Sequence, residues 1–101
     1  MKNYEHITKY ENILDEHQTK LDELNTILKY FIEHQNEYQA LMDYYESALR
    51  DEDLKADEQH LIPKDLKRGV LSEDGIYDLM LNYRESAIEM MEVALEMIKK
   101  A

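Results

Sequence analysis

Apolar residues recur every seven positions along the first half of the chain. One row occupies a positions of a heptad and a second row follows three residues later at d positions, the stripe that one helix presents to another. Several g positions are also apolar, which favours a bundle helix that packs against two neighbours. The three rows are Ile7, Leu14, Leu21, Leu28, Gln35, Met42 and Leu49; then Tyr10, His17, Leu24, Phe31, Tyr38 and Tyr45; and Ile13, Ile27, Leu41 and Ala48.

The most polar part of the stripe lies at residues 33–36. Gln35 occupies a core position there, and Asn36 followed by Gln39 fits a capping box that starts a new helix. A single helix to residue 51 would measure roughly 70 Å, more than the rest of the chain can cover. We therefore expect helices over about 3–33 and about 36–51, with a break near 33–37. A continuous, kinked helix buried in a dimer is the alternative.

A connector over about residues 52–71 is predicted next. Asp51, Glu52 and Asp53 are unfavourable at the C-terminal end of a helix dipole, so the second helix should end there. Pro63 can open a short helical turn, and Gly69 can close it in the left-handed conformation. The connector is long for a compact domain, but its apolar residues favour docking. They are Leu61, Ile62, Leu66, Val70 and Leu71.

A last helix over about residues 72–99 has clear sequence signals at both ends. Ser72 is a good N-cap, and Glu73 and Asp74 suit the positive end of the helix dipole, whereas Lys99 and Lys100 suit the opposite end. The pattern thus predicts an all-α fold in one domain. Its architecture would be a three-helix antiparallel bundle with a long connector docked before the last helix.

Composition restricts the partners of the protein. Among 101 residues, 12 are Lys or Arg and 23 are Asp or Glu, a net charge of −11 that repels nucleic acid and anionic lipid. No cysteine is present, which excludes disulfides and favours the reducing cytoplasm. No stretch approaches the ~20 apolar residues of a membrane span. We expect a soluble cytoplasmic protein with neither nucleic acid nor membrane as its partner.

Motifs for metal binding or catalysis are weak. Di-iron bundles need Glu-x-x-His on facing helices, and the nearest match, Asp57-x-x-His60, lies in the predicted connector without a second pair. The run from Asp51 fails as a calcium loop because Ala56 occupies the position that requires glycine. No nucleophile motif or glycine-rich phosphate loop occurs. We predict no catalytic residue, no metal site and no cofactor.

The most promising segment is the basic turn from Pro63 to Gly69. It carries three cations against one carboxylate, and the N-terminus of the next helix offers backbone N–H groups that attract anions. Such a turn can hold a carboxylate or phosphate, with two tyrosines as an aromatic wall. Internal pairing with Asp51, Glu52, Asp53, Asp57 or Glu58 is the alternative. The candidate binding residues are Lys64, Lys67, Arg68, Ser72, Tyr45 and Tyr77.

The chain also resembles a known family. The specific part runs Pro63-Lys64-Asp65-Leu66-Lys67-Arg68-Gly69-Val70-Leu71-Ser72-Glu73-Asp74-Gly75-Ile76-Tyr77-Asp78-Leu79, preceded by Tyr44-Tyr45, Asp57-Glu58 and Leu61-Ile62. It is similar to a family of short bacterial proteins known as domain of unknown function 4298. The resemblance covers nearly the full chain. It implies a single-domain bacterial protein and no particular reaction.

Three functions follow from these patterns. The leading one is a non-enzymatic module that presents the basic turn to a protein partner or a small anion. The second is a homodimeric, coiled-coil-like structural protein in which the stripe from Ile7 to Leu49 is the interface and the connector is a cap. The third and least favoured is a small-molecule enzyme that uses tyrosine, histidine and carboxylate groups.

Overall fold

The computed structural model of the protein describes residues 3–101. Within that range the chain is all-α and has no β-strand, which confirms the all-α part of the prediction but not the three-helix antiparallel bundle. It contains four α-helices where three were predicted, and a short 3-10 turn at Gly69–Leu71 precedes the last of them. The α-helices are α1, Glu5–Glu33; α2, Gln35–Tyr45; α3, Ala48–Glu58; and α4, Gly75–Lys100.

The chain divides into two compact units. Residues up to Tyr38 form the first, which contains α1, and Gln39–Ala101 form the second, which contains α3, the 3-10 turn and α4. In the second unit Ile76 is buried, with 3% of its surface exposed. It lines an open depression together with Leu41, Val70 and Leu79, so the start of α4 packs beside the connector.

Helix α1 carries the predicted apolar stripe. Its N-cap residue is Tyr4, and the side-chain oxygen of the preceding Asn3 accepts the backbone N–H of Glu5 at 2.9 Å. No side chain of α1 is buried. Even stripe residues such as Ile7, Leu14 and Leu21 stay 50%, 49% and 44% exposed.

The interruption between α1 and α2 falls at His34, inside the range 33–37 where a break was expected. The His34 ring stacks on Tyr30 with centroids 4.0 Å apart, and its Nδ1–H donates to the Tyr30 carbonyl at 2.7 Å. The amide of Gln35, at a core position of the heptad, donates to the Phe31 carbonyl at 2.7 Å. Both polar side chains therefore donate to carbonyls of the last turn of α1, where a helix leaves backbone acceptors available.

The prediction of a single helix over 36–51 is wrong in its second half. α2 ends at Tyr45 and α3 begins at Ala48, because Ser47 adopts an extended backbone and its Oγ accepts the Arg50 N–H at 3.1 Å. Asp51, which argued for a helix end, instead lies in the first turn of α3. A negative charge is stabilising there, at the positive end of the dipole. Residues 52–58 are therefore helical, and the connector is shorter than predicted.

Helix α3 ends in a Schellman motif whose left-handed residue is His60, with a φ of 57°. The Leu61 N–H donates to the Ala56 carbonyl at 2.9 Å and the His60 N–H donates to the Asp57 carbonyl at 3.1 Å, as that motif requires. The prediction that Gly69 would be left-handed is wrong, because no described glycine has a positive φ. Gly69 instead begins the 3-10 turn.

Candidate interaction surface on the connector

The connector between α3 and α4 is fastened by Arg50. Its Nε donates to the Val70 carbonyl at 3.0 Å and its Nη2 donates to the Ser72 carbonyl at 3.3 Å. The guanidinium carbon lies 4.8 Å from the centroid of the Tyr45 ring, a cation–π distance. The start of α3 thus places one arginine where it holds the 3-10 turn and the entry to α4.

A second attachment comes from Arg68. Its Nη1 lies 2.6 Å from Oδ1 of Asp57, in the last turn of α3. The two side chains are 40% and 32% exposed, so the ion pair is only partly shielded from water and contributes modestly to stability. This is the internal pairing considered as the alternative to ligand binding, with Asp57 among the carboxylates named for it.

The hydroxyl of Ser72 is engaged on both sides. It donates to the Gly69 carbonyl at 2.7 Å and accepts the Gly75 N–H at 3.0 Å. The prediction that Ser72 is the N-cap is wrong, because α4 begins at Gly75 and Asp74 is its N-cap residue. A Cβ on Gly75 would collide with the Gly69 carbonyl oxygen and lie 2.6 Å from Ser72 Oγ. Glycine therefore permits the close approach of the 3-10 turn to α4.

A tyrosine–carboxylate pair joins α2 to α3. The Tyr44 hydroxyl donates to Asp53 Oδ2 at 2.6 Å. This hydrogen bond to the carboxylate is the main reason that the pKa of Tyr44 is raised above its ordinary value, and burial and the Asp53 charge act in the same direction. The nearby Arg50 opposes them. The phenol therefore stays neutral and serves as a donor.

Two open depressions flank the connector, of about 300 and 410 Å³. The first is walled mainly by apolar connector residues, with Tyr44 and Asp53 at one side. The second lies between the 3-10 turn and the first turns of α4. Lys67 lines both, so it stands on the ridge between them. The apolar residues of the first are Leu61, Ile62, Pro63, Leu66, Val70 and Leu71.

The six residues predicted to form a binding site differ in their contacts and exposure. Arg68 and Ser72 are bonded within the fold, and Tyr45 lies under Arg50. Lys64 and Lys67 are exposed, and neither forms an ion pair with another of residues 3–101. Tyr77 is 45% exposed and lines neither depression.

Sequence reasoning missed two residues that shape this surface. Neither Arg50 nor Tyr44 is among the residues predicted to bind. Ser47, three residues before Arg50, followed by the acidic residue Asp51, is the signal that could have placed a helix start here. That start is what aims Arg50 at the connector.

Residues 3–101 contain neither a cluster of metal-binding side chains nor a helix suited to span a membrane. No group of three or more His, Cys, Asp or Glu side chains is placed to hold a metal ion in this part of the chain. None of the helices described there has both the length and the apolar character needed to cross a bilayer.

Fold and site together define a small all-α protein whose distinguishing feature is a connector that contains a basic turn and is fastened to α3 by two arginines. A family model described as "Domain of unknown function (DUF4298)" matches residues 7–93, and the chain belongs to this family. The resemblance noted in the sequence is thereby confirmed. Comparisons with curated proteins and with solved structures gave no match.

Proposed function

We propose that the protein is a non-enzymatic interaction module that binds a protein partner through its connector face. The connector face is defined here as Leu61, Lys64, Leu66, Lys67 and Val70. The observation that carries the proposal is a pair of lysines without an internal ion pair in residues 3–101, beside leucines that are 69% and 58% exposed. Arg50 and Arg68 hold this segment on α3, so the face is organised before a partner arrives.

The chemistry of the face fits an acidic peptide segment that also carries apolar side chains. The two lysines attract carboxylates, while the exposed leucines and the adjoining depressions bury apolar groups. A small anion is less well served, because Arg68 and Ser72 are already bonded within the fold. Such an anion would be bound only by the flexible, hydrated ammonium groups of Lys64 and Lys67.

The proposed setting is the cytoplasm of a bacterial cell. A 101-residue chain without cysteine has none of the disulfides that stabilise many small secreted domains. The net charge of −11 opposes contact with nucleic acid, and the turn from Pro63 to Gly69, with three cations against one carboxylate, is where an acidic partner would be recognised.

The test is titration of the isotopically labelled protein with a synthetic peptide that alternates glutamate and leucine, followed by NMR. Shifts should concentrate at residues 61–70. The double variant Lys64→Glu/Lys67→Glu should bind at least tenfold more weakly, because two attractive charges become repulsive. Lys99→Glu/Lys100→Glu is the matched control, since it changes the net charge equally at the far end of α4, and it should bind as the parent does.

Three outcomes would contradict the proposal. One is a binding constant that charge reversal at Lys64 and Lys67 leaves unchanged while circular dichroism shows intact helices. Another is a set of shifts centred outside residues 61–70. A third is saturation of the same amides by inorganic phosphate alone, which would assign the face to a small anion instead. A peptide in which lysine replaces glutamate is the negative control.

A further inference from the structure

The apolar stripe of α1 has no cover within its own unit. Eight of its large side chains are between 38% and 60% exposed. Exposed contiguous apolar surface of this extent is unusual for a monomer and marks an interface. The eight are Ile7, Tyr10, Ile13, Leu14, Leu21, Leu24, Ile27 and Phe31.

We propose that the α1 helix of a second copy of this chain covers the stripe, in antiparallel orientation. The stripe keeps a strict seven-residue period over four heptads of α1, and such a period makes a helix coil around another helix. An interface between identical surfaces about a twofold axis is also the commonest form of oligomer.

The register follows from the sequence. When two α1 helices run antiparallel, each a position meets a d position of the other copy, and one alignment matches all four heptads. Large side chains then face medium-sized ones, and Ile13 meets Ile27 at the flank. The four layers are Ile7 with Phe31, Leu14 with Leu24, Leu21 with His17, and Leu28 with Tyr10.

A parallel pair fits less well. In a parallel pair each a or d residue faces the same residue of the other copy. His17 would therefore face His17, and Tyr10 would face Tyr10. Two imidazoles would share one apolar layer, whereas the antiparallel register sets each against Leu21. The Nδ1–H of His17 donates to the Ile13 carbonyl at 2.8 Å, so one ring nitrogen is already satisfied within the helix. Antiparallel helix dipoles also attract rather than repel.

The area is sufficient for a dimer. The eight exposed side chains offer on the order of 700 Å² per copy, close to the ~800 Å² per partner of a standard protein interface. This surface lies on α1 and contains none of the residues of the connector face. The inference therefore stands or falls independently of the proposed function.

Sedimentation equilibrium tests the association. The chain has a mass of 12.1 kDa, so the dimer should weigh twice that value. Leu24→Asp should weaken the dimer by at least tenfold, because it puts a carboxylate into an apolar layer. Thr19→Asp, on the opposite side of α1, is the matched control and should dimerise as the parent does. His17→Leu should tighten the dimer.

Cross-linking tests the orientation, and the absence of native cysteine makes it simple. In the antiparallel register Gln18 lies across the twofold axis from itself, so Gln18→Cys should be joined into dimers by a short bismaleimide. Leu14→Cys faces itself only in a parallel pair, and Thr19→Cys faces solvent in either. Neither should react across copies.

The results that overturn the inference are distinct. A monomer mass at every concentration would show that no second copy covers the stripe. A dimer indifferent to Leu24→Asp would place the interface elsewhere. Cross-linking through Leu14→Cys but not Gln18→Cys would show that the two α1 helices run parallel.

Discussion

At the scale of single residues, a few polar side chains fix the second unit. Arg50 bonds two connector carbonyls, Arg68 pairs with Asp57, and Ser72 links Gly69 to Gly75. Such bonds are modest individually, because water competes for each exposed partner. Together they select one path for a segment that contributes little buried surface.

Tyr44 provides a test of one such bond. Tyr44→Phe should lower the free energy of unfolding by about 1 kcal/mol at neutral pH, because the bond to the Asp53 carboxylate is lost. Denaturant unfolding followed by circular dichroism measures this change. Tyr45→Phe is the control, since the described contact of Tyr45 is through its ring, and it should change stability little.

The same pair predicts a pH dependence. The folded-state pKa of Tyr44 is raised above the ordinary 10.0, so its contribution to stability is complete below that value and is lost as the pH rises through the folded-state pKa. The stability difference between the parent and Tyr44→Phe should therefore shrink above pH 10. A difference that stays constant into the alkaline range would contradict the role given to this bond.

At the scale of elements, the acidic run at residues 51–53 shows how far sequence reasoning reached. The charges were recognised as a helix-boundary signal, but they were assigned to the end of one helix instead of the start of the next. Dipole arguments alone do not distinguish these cases; the N-cap at Ser47 does. The break near residue 34 was visible because Gln35 interrupts an apolar row.

The connector as an element should depend on Arg50. Arg50→Met retains most of the packing but removes both donors to the Val70 and Ser72 carbonyls. The amides of Leu71 and Ser72, which close the 3-10 turn, should then exchange with solvent about tenfold faster. Arg84→Met is the control, because Arg84 forms no ion pair within residues 3–101. Equal exchange in both variants would show that the connector does not need this arginine.

The proposed binding surface was less predictable than the helices. The basic turn was evident from composition. Which of its cations form bonds within the fold depends on contacts between residues far apart in sequence. The contacts of Arg68 with Asp57 and of Arg50 with Val70 both depend on α3 being a separate helix. Two lysines of the predicted set therefore carry the proposed recognition, and an arginine outside that set supports them.

At the scale of the whole molecule, hydrophobic burial within one chain is small. Among residues 3–101 only Ile76 is buried, although apolar side chains recur along α1 and α4. Burial of apolar surface is the dominant favourable term in folding and association. The sequence predicted which faces are apolar. It could not identify their partner, because a heptad stripe fits a helix of the same chain or of another copy equally well.

Amide hydrogen exchange measured at a low and a high protein concentration tests the central claim most directly: each chain docks its own connector but needs a second copy to cover α1. Protection of residues 13–31 should rise with concentration, while protection of Leu71 and Ser72 stays the same, since Arg50 acts within one chain. Protection of α1 that does not change with concentration, or connector amides that exchange as in an unfolded chain, would contradict the account.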